Sequence, residues 1–225
     1  MSQNVTHKKN IVRSKDATKA GYDWLSKWYD ALTNSYLKKS REKGLQKLSV
    51  KNGETVLEIG FGTGHGITAM AKSVGDTGEV YGLDISEGMR NVTQTRIEKA
   101  GLSHRVKLNV GDAANLPFED NFFDAIFTSF ALELLEAHEL PIVLHECQRV
   151  LKAGGRICVV SLSKKGKGNK TMASLYQSAY RFFPNLAGHP HLIQKALEEA
   201  RFQTLDATQL SVWGLPVEIV VAQKP

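Results

Sequence analysis

The stretch VLEIGFGTGHG, Val56 to Gly66, sets glycine at every second position after an apolar run: Gly60, Gly62, Gly64 and Gly66. Glycine at this density costs conformational entropy and gives up side-chain packing, so it is kept where the backbone must turn tightly or approach a ligand. An apolar strand that breaks into a glycine loop and then a helix is the opening unit of a parallel α/β fold. The rest of the chain must then supply more such units.

It does. ETVLEIG (Glu54–Gly60) reads as a buried strand and Gly64–Ser73 as a helix. EVYGLDI (Glu79–Ile85) is a second strand, and Ser86 caps a helix running to Ala100. VKLNVG (Val106–Gly111) and FFDAIFTSF (Phe122–Phe130) are the third and fourth strands. Glu139–Leu151 reads as a helix with Lys152-Ala153-Gly154-Gly155 as its C-terminal stop. RICVVSL (Arg156–Leu162) is the fifth strand, followed by helices over Thr171–Phe183 and Pro190–Arg201. Strands over Gln203–Trp213 and Val217–Ala222 close the chain, joined by a turn short enough to be antiparallel. The expectation is a doubly wound α/β fold: a mostly parallel seven-stranded sheet with a late antiparallel strand. Residues 1–20 are polar and without period, a flexible tail; 21–225 form a single domain. Its first 30 residues or so, about 21–50, are read as a helical lid. Leu25, Trp28, Tyr29, Leu32 and Tyr36 form an aromatic-rich face there, and Lys27, Lys38, Lys39, Arg41 and Lys43 much of the polar surface.

The glycine spacing discriminates between ligands. A dinucleotide fingerprint needs G-x-G-x-x-G, but the third-glycine slot counted from Gly60 holds His65, and counted from Gly62 it holds Ile67. This disfavours an NAD(P)-dependent oxidoreductase. No Gly-Lys-Ser/Thr follows, which removes the P-loop. G-x-G-x-G fits Gly60, Gly62 and Gly64. Asp84 ends the second strand, where a carboxylate can accept both hydroxyls of a ribose. Asp112 ends the third at the same sheet edge, where a carboxylate can accept from an exocyclic amine. Leu116-Pro117-Phe118 is expected to form a stiff apolar wall.

EIGFGTG, GLDIS, GDAANLPFEDNFFDAIF and VLKAGGRICVV, in this order and spacing, resemble class I S-adenosylmethionine-dependent methyltransferases, and most of all the branch holding the ubiquinone and menaquinone C-methyltransferases. The resemblance spans about residues 22–222 and implies a Rossmann-like methyltransferase fold with S-adenosyl-L-methionine as cofactor. By that resemblance Glu58 and the Gly60–Gly64 loop face the methionine end, with Glu58 near its amino group. Asp84 takes the ribose, Ile85 packs on the adenine, Asp112 and Ala113 meet the adenine ring, and Met89 is a further wall. Thr128, Ser129 and Phe130 lie beside the sulfonium. The chain departs from the quinone enzymes in two places: Tyr29-Asp30 continues as ALTNSYLKKS, and the late segment reads PNLAGHPHLIQKALEEARF.

Methyl transfer from a sulfonium is an in-line displacement that needs positioning and the exclusion of water. It needs a base only when the acceptor must lose a proton, and no catalytic residue is assigned. The candidate acceptor pocket is built from Trp24, Trp28 and Tyr29 on the lid and Tyr176, Tyr180 and His189 on the late insertion, with Glu133 just past the fourth strand. These suit a small-molecule or lipid acceptor.

Residues 1–51 hold 12 Lys/Arg against 4 Asp/Glu, while the remainder is near balance. This basic helix suits peripheral contact with an anionic membrane. A nucleic-acid-directed role is the alternative, disfavoured because SFAL stands where amino-base methylases carry Asn/Asp-Pro-Pro-Tyr/Phe. No apolar run is long enough to span a membrane and no secretory signal is seen. The cysteines, Cys147 and Cys158, match no metal spacing and suggest a reducing, cytoplasmic setting.

Overall fold

The computed structural model describes residues 19–23, 29–163, 190–212 and 214–225, and of residues 29–36 the backbone only. Trp24, Trp28, Tyr176, Tyr180, His189, Trp213 and the expected helix over Thr171–Phe183 lie outside the described residues, as does the side chain of Tyr29.

Residues 19–23 are helical. The elements that follow are α1 (Tyr29–Leu48), β1 (Thr55–Ile59), α2 (His65–Ser73), β2 (Glu79–Asp84), α3 (Glu87–Lys99), β3 (Val106–Val110) and β4 (Phe123–Ser129). Then come α4 (Leu140–Val150), β5 (Leu151–Leu162), α5 (Ile193–Glu199), β6 (Gln203–Val212) and β7 (Leu215–Gln223). Among the described residues the sheet has seven strands in the order β3-β2-β1-β4-β5-β7-β6. Strands β1 to β5 pair in parallel, and β7 lies antiparallel between β5 and β6. The strand order reverses at β1 and β4, so their carboxyl ends bound the crevice where such sheets bind ligands.

Both faces of the sheet are covered, which explains the near-continuous apolar strands. Val56, Phe127 and Val160 join Phe61, Ile67 and Met70 in one core layer. Leu57, Ile126 and Val159 point the other way, into a layer with Leu144, Val150 and Leu197. Residues next to one another in sequence thus serve opposite layers, as strand pleating dictates. The second half of α1, within the span read as lid, packs on the sheet as a layer of the fold. At Gly44 a Cβ would stand 2.4 Å from Val160 Cγ2, so the helix needs glycine to approach this closely. Arg156 fastens the end of that helix. It donates to the Leu48 carbonyl at 2.6 Å and the Ser49 carbonyl at 2.8 Å, and it grips Glu54 through two hydrogen bonds.

Three expectations need correction. Lys152-Ala153-Gly154-Gly155 is no helix stop: α4 ends at Val150, and these residues already belong to β5. The register jumps there, Phe123 facing Leu151 and Ala125 facing Arg156, so the glycines form an irregular strand entry. Leu116-Pro117-Phe118 is no ligand wall either. Leu116 is buried in the core, and Phe118 packs edge-to-face on Tyr81 and Phe123 with ring centroids 5.6 and 4.9 Å apart. The last expected helix is shorter than Pro190–Arg201, starting at Ile193.

Candidate functional site

A cleft of about 1010 Å³ empty volume, mouth included, opens at the carboxyl ends of β1, β2 and β4. One side carries Asp84, Ile85 and Met89; another carries Gly111, Asp112 and Ala113. Gly60 and Gly62 form its floor, Ser129 and Phe130 its far wall, and Tyr22 stands at its edge. A second cavity, of about 370 Å³, is lined by Leu37, Arg41, Glu58, Thr63, His65 and Gly66. Gly60, Gly62, Ser129 and Phe130 line both cavities, so the two are joined.

The glycine loop shapes this junction. Gly62 has φ 52° and a Cβ there would meet nothing within 4 Å, so its glycine serves backbone conformation facing open space. Gly66 serves the opposite need: a Cβ would stand 2.2 Å from Glu58 Oε1. That lets the Glu58 carboxyl reach back from β1 beneath the first turn of α2, where it accepts the Ile67 backbone N–H. Glu58 is only 2% exposed, and its Oε2 has no partner among the described residues. Burial is the main cause that lifts its pKa to about 8, aided by the charge of Asp84 and opposed by Arg41 and the Ile67 N–H.

Asp84 is half-buried on the cleft wall. Its Oδ2 accepts from Gly62 N at 2.8 Å and its Oδ1 from Ser86 N at 3.0 Å. Burial pushes its pKa up to about 6, against those hydrogen bonds and with help from nearby Asp23. A carboxylate has about four acceptor sites, so capacity remains for a ligand's hydroxyls. Asp112 Oδ1 accepts from Ala114 N at 3.0 Å. Met89 is held beneath the cleft because Ser86 Oγ caps α3 through the Met89 N–H at 3.0 Å.

The helical residues 19–23 reach this wall. Asp23 Oδ1 accepts from Ser86 Oγ at 2.6 Å and from Gly88 N at 2.8 Å, which places Tyr22 at the cleft edge. Those two hydrogen bonds, with the charge of Lys19, hold the Asp23 carboxyl below its usual range despite partial burial. Opposite, Phe130 has φ 55°, unusual for a bulky residue, while its N–H donates to the Val160 carbonyl at 2.8 Å. Such a conformation costs about 1–3 kcal/mol and gathers at functional sites.

Gly64, the φ 81° residue that caps α2, is not among the lining residues, and ten of the twelve cofactor candidates line the two cavities: Glu58, Gly60, Gly62, Asp84, Ile85, Met89, Asp112, Ala113, Ser129 and Phe130. Thr128 does not. It is buried one position back in β4, lines neither cavity, and its Oγ1 has no partner among the described residues. Glu133 is also displaced from the acceptor pocket expected for it: it is buried and accepts from Ser161 Oγ at 2.9 Å. The sequence pattern puts Arg41 on the polar surface of its helix, whereas the structure puts it in the lining of the second cavity. A basic residue four positions after the buried Leu37 and three before the buried Gly44 shares their inward stripe, and that spacing was the available signal. Tyr22, Ala131, Leu134, Leu135 and Glu139 complete the cleft wall with no periodic pattern to mark them. Cys147 and Cys158 are free and buried, and burial pushes both thiols up to about 12, too high for nucleophilic work.

Among the described residues there is no group of His, Cys, Asp or Glu arranged to hold a metal ion, and no helix long and apolar enough to cross a membrane.

Residues 56–155 match the methyltransferase domain family. Over 168 residues the chain is 35% identical to the demethylmenaquinone methyltransferase of Staphylococcus aureus, an alignment covering 73% of this chain and 65% of that protein's length. Among solved structures, the [4+2]-cyclase SpnF superposes with a TM-score of 0.77 at 18% identity, covering 96% of this chain and 97% of its own. A SAM-dependent methyltransferase from Aquifex aeolicus superposes at 0.64 and 22% identity, covering 95% and 100%. At such identities these structures speak for the fold, and a fold hosts more than one chemistry.

Proposed function

We propose that the chain is a class I S-adenosylmethionine-dependent methyltransferase that transfers a methyl group from S-adenosyl-L-methionine to a small-molecule or lipid acceptor. One observation carries the reading: two joined cavities with chemically different ends. One end holds the buried Glu58 carboxyl with an unpartnered oxygen; the other holds Asp84 and Asp112 among apolar walls. That pairing suits a ligand with an ammonium at one end and an adenosine at the other.

In this reading Asp84 accepts the ribose hydroxyls and Asp112 the adenine amine, while Ile85, Met89 and Ala113 enclose the ring. When bound, the cofactor supplies a methyl group already activated by a sulfonium. The chain's own work is to hold the reacting groups in line and exclude water. Ser129 and Phe130, at the junction of the cavities, are placed for the first task, and Tyr22 at the cleft edge for the second. No residue is assigned as a base.

The S. aureus relative bears the name of a quinone-precursor methylase, which puts apolar ring compounds first among acceptors. The departures of this chain around Tyr29-Asp30 and in its late segment bring lipid amines into the same search. The basic excess of residues 1–51 supports contact with an anionic membrane surface, where such acceptors reside. The two buried free thiols fit a reducing compartment such as the cytoplasm.

The test is calorimetric titration with S-adenosylmethionine, S-adenosylhomocysteine and NAD. Micromolar binding of the first two without NAD supports the reading, and acceptor trials with quinols and lipid amines follow, scored by S-adenosylhomocysteine release. Binding of NAD alone overturns it.

A further inference from the structure

Resting on the cofactor reading above, we infer that Thr93 and Arg96, both on α3, are positioning residues of the cofactor site. They hold the glycine loop from behind, so that the Gly62 N–H stays on Asp84 and Asp84 stays aimed at the ribose. Neither residue lines the two joined cavities, so both act through the loop.

The loop does not hold itself. Gly62 and Gly64 have φ 52° and 81°, and glycine visits both signs of φ about equally, so outside contacts must fix the conformation. Three successive loop carbonyls each have a side-chain donor. Thr93 Oγ1 donates to the Gly62 carbonyl at 2.8 Å, Arg96 Nε to the Thr63 carbonyl at 2.7 Å, and Thr68 Oγ1 to the Gly64 carbonyl at 2.7 Å. The Thr68 bond is local to the first turn of α2. The other two come from α3, 31 and 33 residues along the chain from the carbonyls they hold.

Thr93 is set apart from an ordinary helical threonine. Inside a helix the hydroxyl commonly returns to the carbonyl four residues back. Thr95 does this, donating to the Asn91 carbonyl at 3.1 Å. Thr93 is buried and gives its hydroxyl to Gly62 instead. Its methyl is used as well: a Cβ at Gly64 would stand 2.5 Å from Thr93 Cγ2. One branch thus fixes the first glycine and the other fills the space beside the second. Gly62 is held on both sides, its carbonyl by Thr93 and its N–H by Asp84 Oδ2 at 2.8 Å. With the carbonyl released, the Gly62 backbone can turn and its N–H no longer orients Oδ2. Binding must then order the loop again, a cost that a preorganised site avoids.

Calorimetry with S-adenosylhomocysteine tests this through a double-mutant cycle. Thr93→Val keeps the shape and removes the hydroxyl, and should weaken binding by about fivefold to tenfold, the worth of a hydrogen bond. Thr93→Ser keeps the hydroxyl and should bind within about twofold of the unmodified protein. In an Asp84→Ala background the Thr93→Val substitution should cost less than about twofold, because the group through which Thr93 acts is already gone. Thermal unfolding checks that each variant is folded, and Arg96→Met takes the place of Thr93→Val in every comparison if the latter does not fold. A folded Thr93→Val, or Arg96→Met in its place, that binds S-adenosylhomocysteine as the unmodified protein does overturns the inference and leaves the cofactor reading standing. So does a loss of affinity that is undiminished in the Asp84→Ala background, since these residues would then act on the fold at large. If S-adenosylhomocysteine does not bind the unmodified protein, the cofactor reading itself has failed and this inference falls with it.

Discussion

At the scale of single residues, Glu58 and Asp84 are two buried-side carboxyls held up at about 8 and about 6. In the free protein Glu58 is largely protonated at neutral pH, and in the proposed reading a ligand ammonium selects its ionised form. Ligand affinity should therefore rise with pH up to about 8, and binding at pH 7 should release a proton. Calorimetry in two buffers of different ionisation enthalpy measures that proton, and Glu58→Gln should remove it. The same shifts set stability. A carboxyl whose folded pKa is raised contributes stability that is full below its ordinary value and lost as pH climbs through the folded one. The free protein should lose stability from this source between the ordinary carboxylate range and about pH 8, Asp84 acting over the lower part of the window. Denaturant midpoints across that window test the sign. Asp84→Ala should weaken S-adenosylhomocysteine by about 1.5–3 kcal/mol, as expected for hydrogen bonds to a charged group; unchanged affinity would sink its assignment to the ribose. Glu58 and Asp84 were legible because each ends or nearly ends a strand beside a glycine loop. Arg41 was not, since nothing in a run of lysines says which cation faces inward until the helix is docked.

At the scale of elements, a residue from one segment fixes the start of another. Asp23 accepts two hydrogen bonds at the N-terminus of α3, in the turn that also holds Met89 under the cleft. Asp23→Ala should weaken that cap by about 1 kcal/mol and speed dissociation of adenosine ligands by several-fold, with Glu87→Ala as an exposed control. Stopped-flow release of S-adenosylhomocysteine reads the difference. Gly44→Leu should destabilise the protein by about 1–3 kcal/mol by forcing α1 away from Val160 and Phe127, visible in thermal unfolding. Most elements were readable because strands buried on both faces stay apolar and helices keep their stripe. Gly154-Gly155 was misread for a physical reason. Gly154 adopts φ 74°, which suits a helix stop and a strand irregularity equally. Hydrogen bonds to a distant strand end decide: Gly154 N donates to the Lys224 carbonyl at 2.9 Å, and Lys224 N to the Gly155 carbonyl at 2.8 Å. No local pattern encodes those partners.

At the scale of the whole molecule, the parallel order β3-β2-β1-β4-β5 was implied by alternating strands and helices, and the antiparallel β7 by the short turn before it. The placement of β7 inside β6 was not, because it depends on which strand covers the exposed side of β5. A ligand that binds only this assembled crevice stabilises the whole fold. Saturation at a hundred times Kd should add about 2.7 kcal/mol, and a matching rise in Tm with S-adenosylhomocysteine checks it. The wall shared by the two cavities has a further consequence. Two adjoining pockets behave as a bivalent receptor: each half of a ligand raises the local concentration of the other, to the millimolar range for a short tether. Adenosine and an amino acid offered separately should each bind feebly. Joined by a link that spans Gly60, Gly62, Ser129 and Phe130, even an inert one, they become a chelating inhibitor whose grip is multiplied by the linkage.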